Sequence, residues 1–187
     1  MTTTFLIPFK GLRGAKSRWE MEEAERETAL LELLAHNLHT VASVVGPEQT
    51  VLVCPQEEWA QGFAHFAPTA GSLNGDLEQA RQHLLPEAAA IAVLLPDLPK
   101  LSHQDVVAML EASRTAEVVL CPDHLGVGTN GLVLSPADGL EFLFEGESYQ
   151  RHLSRAQYLG RSIHTLSRPG LANDADRVED LRRISLL

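Results

Sequence analysis

The chain has 187 residues, 44% hydrophobic and 21% charged, with a formal net charge of −10. That length suits one domain with a full core, and that charge argues against a protein built to coat nucleic acid. No run of about 18 apolar residues occurs, so no membrane span is expected, and Met1–Phe5 lacks the charged and apolar regions of a signal peptide.

Thr4–Phe9 reads as a first strand that ends at Pro8. A cationic loop follows directly. Lys10, Arg13, Lys16 and Arg18 lie within nine residues, ahead of any acidic residue, and two of the chain's three lysines are among them. In an acidic protein this concentration points to an anionic ligand. A helical pattern then runs from about Arg18 to Val44, with Leu30, Leu31, Leu34, Leu38 and Val41 forming one apolar stripe. The glutamates from Glu20 to Glu27 crowd its first turns, where the helix dipole favours acids, and read as a solvated face. Strand, cationic loop and helix start together have the topology of a phosphate cradle.

Gln49–Cys54 is a second strand, Pro55–Gly62 a short helix and His65–Phe66 a weak strand. Asp76–Leu85 is helical in pattern. Asn74 caps it or offers its amide to a sugar or base edge, capping being the simpler role. Ile91–Pro99 is the central stretch: five apolar residues too short for a helix, closed by Pro96 and Pro99, as in a parallel strand buried on both faces. Asp97 is held between those prolines at the strand's carboxyl end, where ligands of open α/β sheets collect. It is either a metal ligand or a plain turn aspartate.

Ser102 caps a helix to about Ser113, and Glu117–Cys121 is the next strand. Cys54 and Cys121 each end a strand-like run before a proline, which fits reduced thiols in a cytoplasmic protein. The loop Asp123–Gly131 carries three glycines, whose backbone N–H groups are expected to be free for an anion, with Thr129 and Asn130 adding side-chain hydrogen bonds. Leu132–Ser135 and Glu141–Phe144 read as an antiparallel pair joined at Asp138-Gly139. Ser148 opens a helix to about Leu159, and Ser162–Leu166 is a last strand. Asp174 and Asp176 precede a final helix, Val178–Ile184. They either cap it or meet a divalent cation on one face of an extended segment. Alternating strands and helices call for a single α/β domain over 1–187, a Rossmann-like doubly wound mixed sheet.

Five motifs in order resemble the guanylyltransferases that make the precursor of coenzyme F(420). They are Ile7-Pro8-Phe9-Lys10 with Ala15-Lys16-Ser17-Arg18; Leu95-Pro96-Asp97-Leu98-Pro99; Gly126-Val127-Gly128-Thr129-Asn130; Phe144 to His152 around Ser148; and Asp174-Ala175-Asp176 with Glu179-Asp180-Leu181. The resemblance implies a nucleotidyltransferase fold and transfer of GMP from GTP to a small phosphorylated three-carbon acid, with release of pyrophosphate. The acid is phosphoenolpyruvate, 2-phospho-L-lactate or 3-phospho-D-glycerate. It also implies that Asp97, Asp174 and Asp176 hold Mg²⁺, and that Lys10, Arg13, Lys16, Arg18 and Asn74 serve the nucleotide. Lys16, Arg18 and Asp97 would carry the catalysis, and Thr129, Asn130, Glu145 and Ser148 would border the acid.

The chain departs from the family pattern at Trp19, at Glu145, where the family has glycine, and at Arg177-Val178. Two other classes fit the same residues. One is a nucleotidyltransferase for a sugar phosphate or molybdopterin, whose glycine-rich turn is here Lys10-Gly11-Leu12-Arg13. The other is a GTP-binding regulator without turnover. A homodimer is compatible with the sequence and not specified by it. The nucleophile in the transfer is an already ionised phosphate oxygen, so no strong base is needed and none of the eight histidines has to be catalytic. His124 and His152 are the two placed to touch a phosphate, although surface or packing roles suit both.

Overall fold

In the computed structural model, residues 2–12, 15–17, 19–60, 62–84 and 88–181 are described. Seven strands form one mixed sheet: β1 (Thr3–Pro8), β2 (Thr50–Val53), β3 (Ala64–Phe66), β4 (Ala90–Leu94), β5 (Val118–Pro122), β6 (Thr129–Leu134) and β7 (Ile163–Thr165). Their order is β3-β2-β1-β4-β6-β5-β7, and β6 alone runs antiparallel to its neighbours. The long helices are α1 (Glu23–Val45), α2 (Leu73–Leu84), α3 (His103–Ala112) and α4 (Ser148–Tyr158), with two single turns, α5 (Pro169–Ala172) and α6 (Val178–Leu181). No helix among the described residues is long and apolar enough to cross a membrane.

The sheet is buried on both faces because its central strands carry apolar runs, Phe5–Pro8 in β1, Ala90–Leu94 in β4 and Leu132–Leu134 in β6. In β1, Phe5 and Ile7 point to one side, into a cluster with Leu34, Leu38 and Val41 of α1 and Val106 and Met109 of α3. Leu6 points to the other, with Leu77 and Ala80 of α2 and Ala156 of α4. This period of two with apolar residues on both faces is what a helix-covered strand requires. The chain leaves β1 toward β2 on one side and returns as β4 on the other. The crevice between the carboxyl ends of β1 and β4 is therefore the switch point of the fold.

Three elements differ from the sequence expectation. Helix α1 starts at Glu23, five residues later than expected, because the preceding turn is spent burying Trp19, which is 2% exposed against Leu30, Leu33 and Ala175. Pro55–Gly62 forms only a single 3-10 turn, Glu57–Trp59. The third difference lies in the sheet: β6 begins at Thr129, inside the expected loop, and pairs with β4 and β5 rather than with residues 141–144. Being paired on both edges, it has no ladder left for a third strand. Phe142 and Phe144 instead pack on the sheet face without strand pairing. Helix α3 is capped as read, Ser102 and Asp105 forming a reciprocal capping box.

Asp105 also holds Arg168 at 2.6 Å, which ties α5 to α3. Gly170 is required at this junction, since a Cβ there would run into the Asp105 carboxylate and lie 2.7 Å from the Lys100 carbonyl.

Candidate active site

The loop after β1 turns at Gly11, whose φ of +101° lies in the region open to glycine and whose Cα faces the Trp59 ring too closely for a side chain. It then brings Lys16 over the end of β4. Lys16 itself has φ +48°, uncommon for a residue with a side chain. Its ammonium lies 2.8 Å from Asp97 Oδ2 and 3.4 Å from Asp176 Oδ1. Burial works against the Lys16 charge, but the attraction of Asp97, then of Asp176 and Asp174, outweighs it and raises the amine above its ordinary value. Asp174 is pushed up in turn, first by burial and then by the charges of Asp97 and Asp176. Of the three carboxylates expected as metal ligands, Asp97 and Asp176 thus meet at Lys16, and Asp174 lies within electrostatic reach of both.

Asp97 and the Asp174–Asp176 segment are positioned by the backbone. The Ala175 N–H donates to the Asp97 carbonyl at 2.8 Å. Ala175 is buried against Trp19, Leu30 and Leu33, and the Asp176 N–H donates to the Asp174 carbonyl at 3.2 Å, so the segment turns tightly about Ala175 and Asp176 reaches Lys16. Trp19, the family departure, is therefore the packing anchor of the carboxylate pair. From below, Asn37 of α1 donates its amide to the carbonyls of Leu33, Pro96 and Leu98 at 2.8, 3.2 and 3.3 Å. Sequence reading missed Asn37, although a lone amide on an apolar helix stripe was a visible signal. Asn37→Ala is expected to cost about 1–3 kcal/mol, since it leaves buried carbonyls unpaired. Chemical denaturation, with turnover measured in parallel, checks this.

A second group forms around Thr129. The Leu143 N–H donates to His152 Nε2 at 2.9 Å, which places the ring proton on Nδ1, 3.1 Å from Thr129 Oγ1. The Thr129 N–H donates to Ser148 Oγ at 2.8 Å. Both hydroxyl oxygens already accept a bond, so each O–H remains free to donate. The structure thus brings Thr129 and Ser148 together, with His152, fully buried, as their internal support. His152 takes the packing role and not that of a surface phosphate contact. Burial lowers its pKa to about 4, with the Arg151 charge acting the same way against Ser148 and Glu141. A folded value below the unfolded one of about 6.5 means that this contribution to stability is full above that pH and is lost as pH falls toward 4. The melting temperature of His152→Gln should therefore vary less than the wild type's between pH 6.5 and 4.

Asn130 is separated from this pair. Successive residues of a strand face opposite sides, and its amide donates to the Leu171 carbonyl at 2.9 Å, holding α5. Glu145 is exposed, and its carbonyl accepts from Arg151 at 2.7 Å. The glycine loop has no free cradle of the kind expected. Asp123 takes the N–H groups of Leu125 and Val127 on Oδ1 and that of Gly128 on Oδ2, closing the loop on itself. His124, in this loop, lines a cavity of about 430 Å³ with Lys100, Asp174, Asp176 and Arg177.

Asn74 does not cap α2, which begins at Leu73; the Gly75 N–H goes to Ser72 Oγ instead, and Asn74 Oδ1 accepts from the Phe144 N–H at 2.8 Å. Lys10 is exposed on the rim of a cavity of about 220 Å³ lined by Phe9, Pro55, Pro68, Leu73 and Asp76. Arg13 and Arg18 lie outside the described residues.

A lysine facing carboxylates at the switch point of a mixed, helix-covered sheet suits the nucleotidyltransferase type of protein. The fold agrees: it superposes on a CMP:2-keto-3-deoxy-manno-octonic acid synthetase complexed with CTP, with TM-score 0.66 at 12% identity, over 98% of this chain and 97% of that one. The Rv0371c protein of Mycobacterium tuberculosis H37Rv, solved in complex with manganese, matches with TM-score 0.57 at 19% identity over 98% of both chains. At the level of sequence, the family model described as "Guanylyl transferase CofC like" matches residues 3–186, and the chain belongs to that family. Two relatives named phosphoenolpyruvate guanylyltransferase are each 33% identical to it. The one from Rubrobacter xylanophilus aligns over 98% of this chain and 94% of its own length, and the one from Chloroflexus aggregans over 95% and 94%.

Proposed function

We propose that this chain transfers GMP from GTP to phosphoenolpyruvate, or to a close phosphorylated three-carbon acid, with release of pyrophosphate in the formation of coenzyme F(420). The observation that carries the reading is the assembly of Lys16, Asp97, Asp174 and Asp176 at the switch point. A divalent cation fits there. Asp97 Oδ1 is buried without a hydrogen-bond partner, and a set of carboxylate oxygens suits a hard ion such as Mg²⁺. Among the described residues no ready-made group of three metal-binding side chains exists, which is consistent with the lysine standing between them. Asp97, Asp174 and Asp176 would hold the Mg²⁺, which when bound offsets the negative charge of the triphosphate and the incoming phosphate.

The chain's own groups supply alignment. The 220 Å³ cavity beside β1 and β2 would take the base, its apolar walls against the ring and Asp76 toward guanine N–H donors. One Asp76 oxygen is already fixed by the Gly71 N–H at 3.0 Å, which leaves the other for that task. Asn74, next to this cavity, keeps its amide hydrogens for the nucleotide. Lys10 and Lys16, with Arg13 and Arg18 by resemblance, would face the triphosphate. The free O–H groups of Thr129 and Ser148 would donate to the acid, close to Glu145, with Asn130 supporting from the far face. The phosphate oxygen of the acid attacks the α-phosphorus in line, needing orientation and no proton acceptor. Two buried free thiols support a cytoplasmic setting; burial raises the Cys54 thiol to about 11, far from reactive.

The test is pyrophosphate release with GTP, CTP or ATP against phosphoenolpyruvate, 2-phospho-L-lactate and 3-phospho-D-glycerate, in Mg²⁺. Release with GTP and phosphoenolpyruvate is expected. Binding of GTP with no release for any acid would replace this reading with a regulator, and a preference for CTP would refute the base assignment.

A further inference from the structure

We propose that Lys16 is a built-in counter-ion that closes the carboxylate site to a free divalent cation and gives it up only when a polyphosphate arrives to receive the ammonium. The inference rests on the metal reading above and adds an order of binding to it. Lys16 Nζ contacts Asp97 Oδ2 and Asp176 Oδ1, and among the described residues no other cation forms a salt bridge with either carboxylate. The remaining Asp97 oxygen is buried and unpartnered. A cation entering here needs the oxygens that Lys16 occupies and meets its charge at close range. The side chains of Lys16 and Asp97 are each only 22% exposed, so that repulsion is weakly screened.

Lys16 cannot simply step aside, because a half-buried ammonium without a partner loses both its solvation and its ion pair. A triphosphate removes that cost by offering a new anion. The lysine stem has four rotatable carbons, so its head can change partner while the backbone stays at its φ of +48°. Metal and nucleotide then bind with positive coupling, and free metal alone binds weakly.

The experiment titrates the nucleotide-free protein with Mn²⁺ alone, reading free Mn²⁺ by electron paramagnetic resonance. The proteins are wild type, Lys16→Gln, Lys16→Arg, Asp97→Asn and the Lys16→Gln/Asp97→Asn double variant. Lys16→Gln is expected to tighten Mn²⁺ by about tenfold or more, equivalent to about 1.4 kcal/mol. Lys16→Arg keeps the charge and should stay as weak as wild type, while the double variant should lose the gain. In a separate titration, GTP with Mg²⁺ should bind Lys16→Gln more weakly than wild type. If Mn²⁺ binding depends on Asp97 but is the same in Lys16→Gln and wild type, the counter-ion role is overturned and the metal reading stands. If no variant shows Asp97-dependent binding, both are overturned.

Discussion

Asp97→Asn is expected to slow pyrophosphate release at saturating GTP and Mg²⁺ by roughly a hundredfold or more, with little change in melting temperature. The substitution keeps shape and removes one negative charge where the reaction gathers several. Loss of one preorganised electrostatic contact of this kind costs on the order of 3 kcal/mol in the transition state. The fold is not expected to suffer, because what holds this loop is not the carboxylate. Asn37 grips the carbonyls of Pro96 and Leu98, and Ala175 bonds the Asp97 carbonyl, all of which survive the change. The ammonium of Lys16 is not left unpaired by the change, since it keeps Asp176 Oδ1 at 3.4 Å. Steady-state kinetics across a range of Mg²⁺ concentrations decides the matter. A rate near wild type would remove Asp97 from the chemistry.

Trp19→Ala should be the most damaging single truncation near the site. Trp19 is 2% exposed and packs on Leu30, Leu33 and Ala175. Truncating a buried tryptophan typically costs about 3–5 kcal/mol, which for a chain of this size lowers the melting temperature by about 6–20 °C. A second effect follows from its neighbours. With the wall behind Ala175 gone, Asp174 and Asp176 are no longer presented to Lys16, so the Mg²⁺ requirement for turnover should rise as well. Trp19→Leu, which keeps an apolar side chain against Ala175, should recover much of both. Scanning calorimetry and a Mg²⁺ titration of activity separate the two. Full stability loss with an unchanged Mg²⁺ requirement would mean that Trp19 supports the fold and not the carboxylates.

What could be read in the sequence was what local pattern encodes. The apolar runs of β1 and β4 are uniform because both faces are covered, and the prolines around Asp97 announced the end of β4. Ser102 and Asp105 form their capping box within four residues. The Asp-Ala-Asp alternation was legible as two carboxylates flanking an apolar residue, and Ala175 is indeed buried between them. The errors fall where partners are distant. Thr129, Asn130 and Gly131 look like loop residues, yet they open a strand, because β4 and β5 pair with this segment on both edges, and Ser148, His152 and Leu171 bond Thr129 and Asn130 from 19 to 41 positions away. The glycine loop looks like an anion cradle, but Asp123 at its head takes the N–H groups two, four and five residues ahead. The contact of Lys16 with Asp176, 160 residues further along, likewise leaves no trace in the local sequence.

That separation has a consequence for how the site and the sheet divide along the chain. All seven strands are complete by Thr165, before the acidic segment begins. Up to that residue the chain supplies the crevice with Lys16 and Asp97 but with neither Asp174 nor Asp176, nor with the Ala175 against which Trp19 rests. Completion of the site therefore depends on a short segment, Asp174–Asp176, that adds no strand to the sheet and can be altered without touching one.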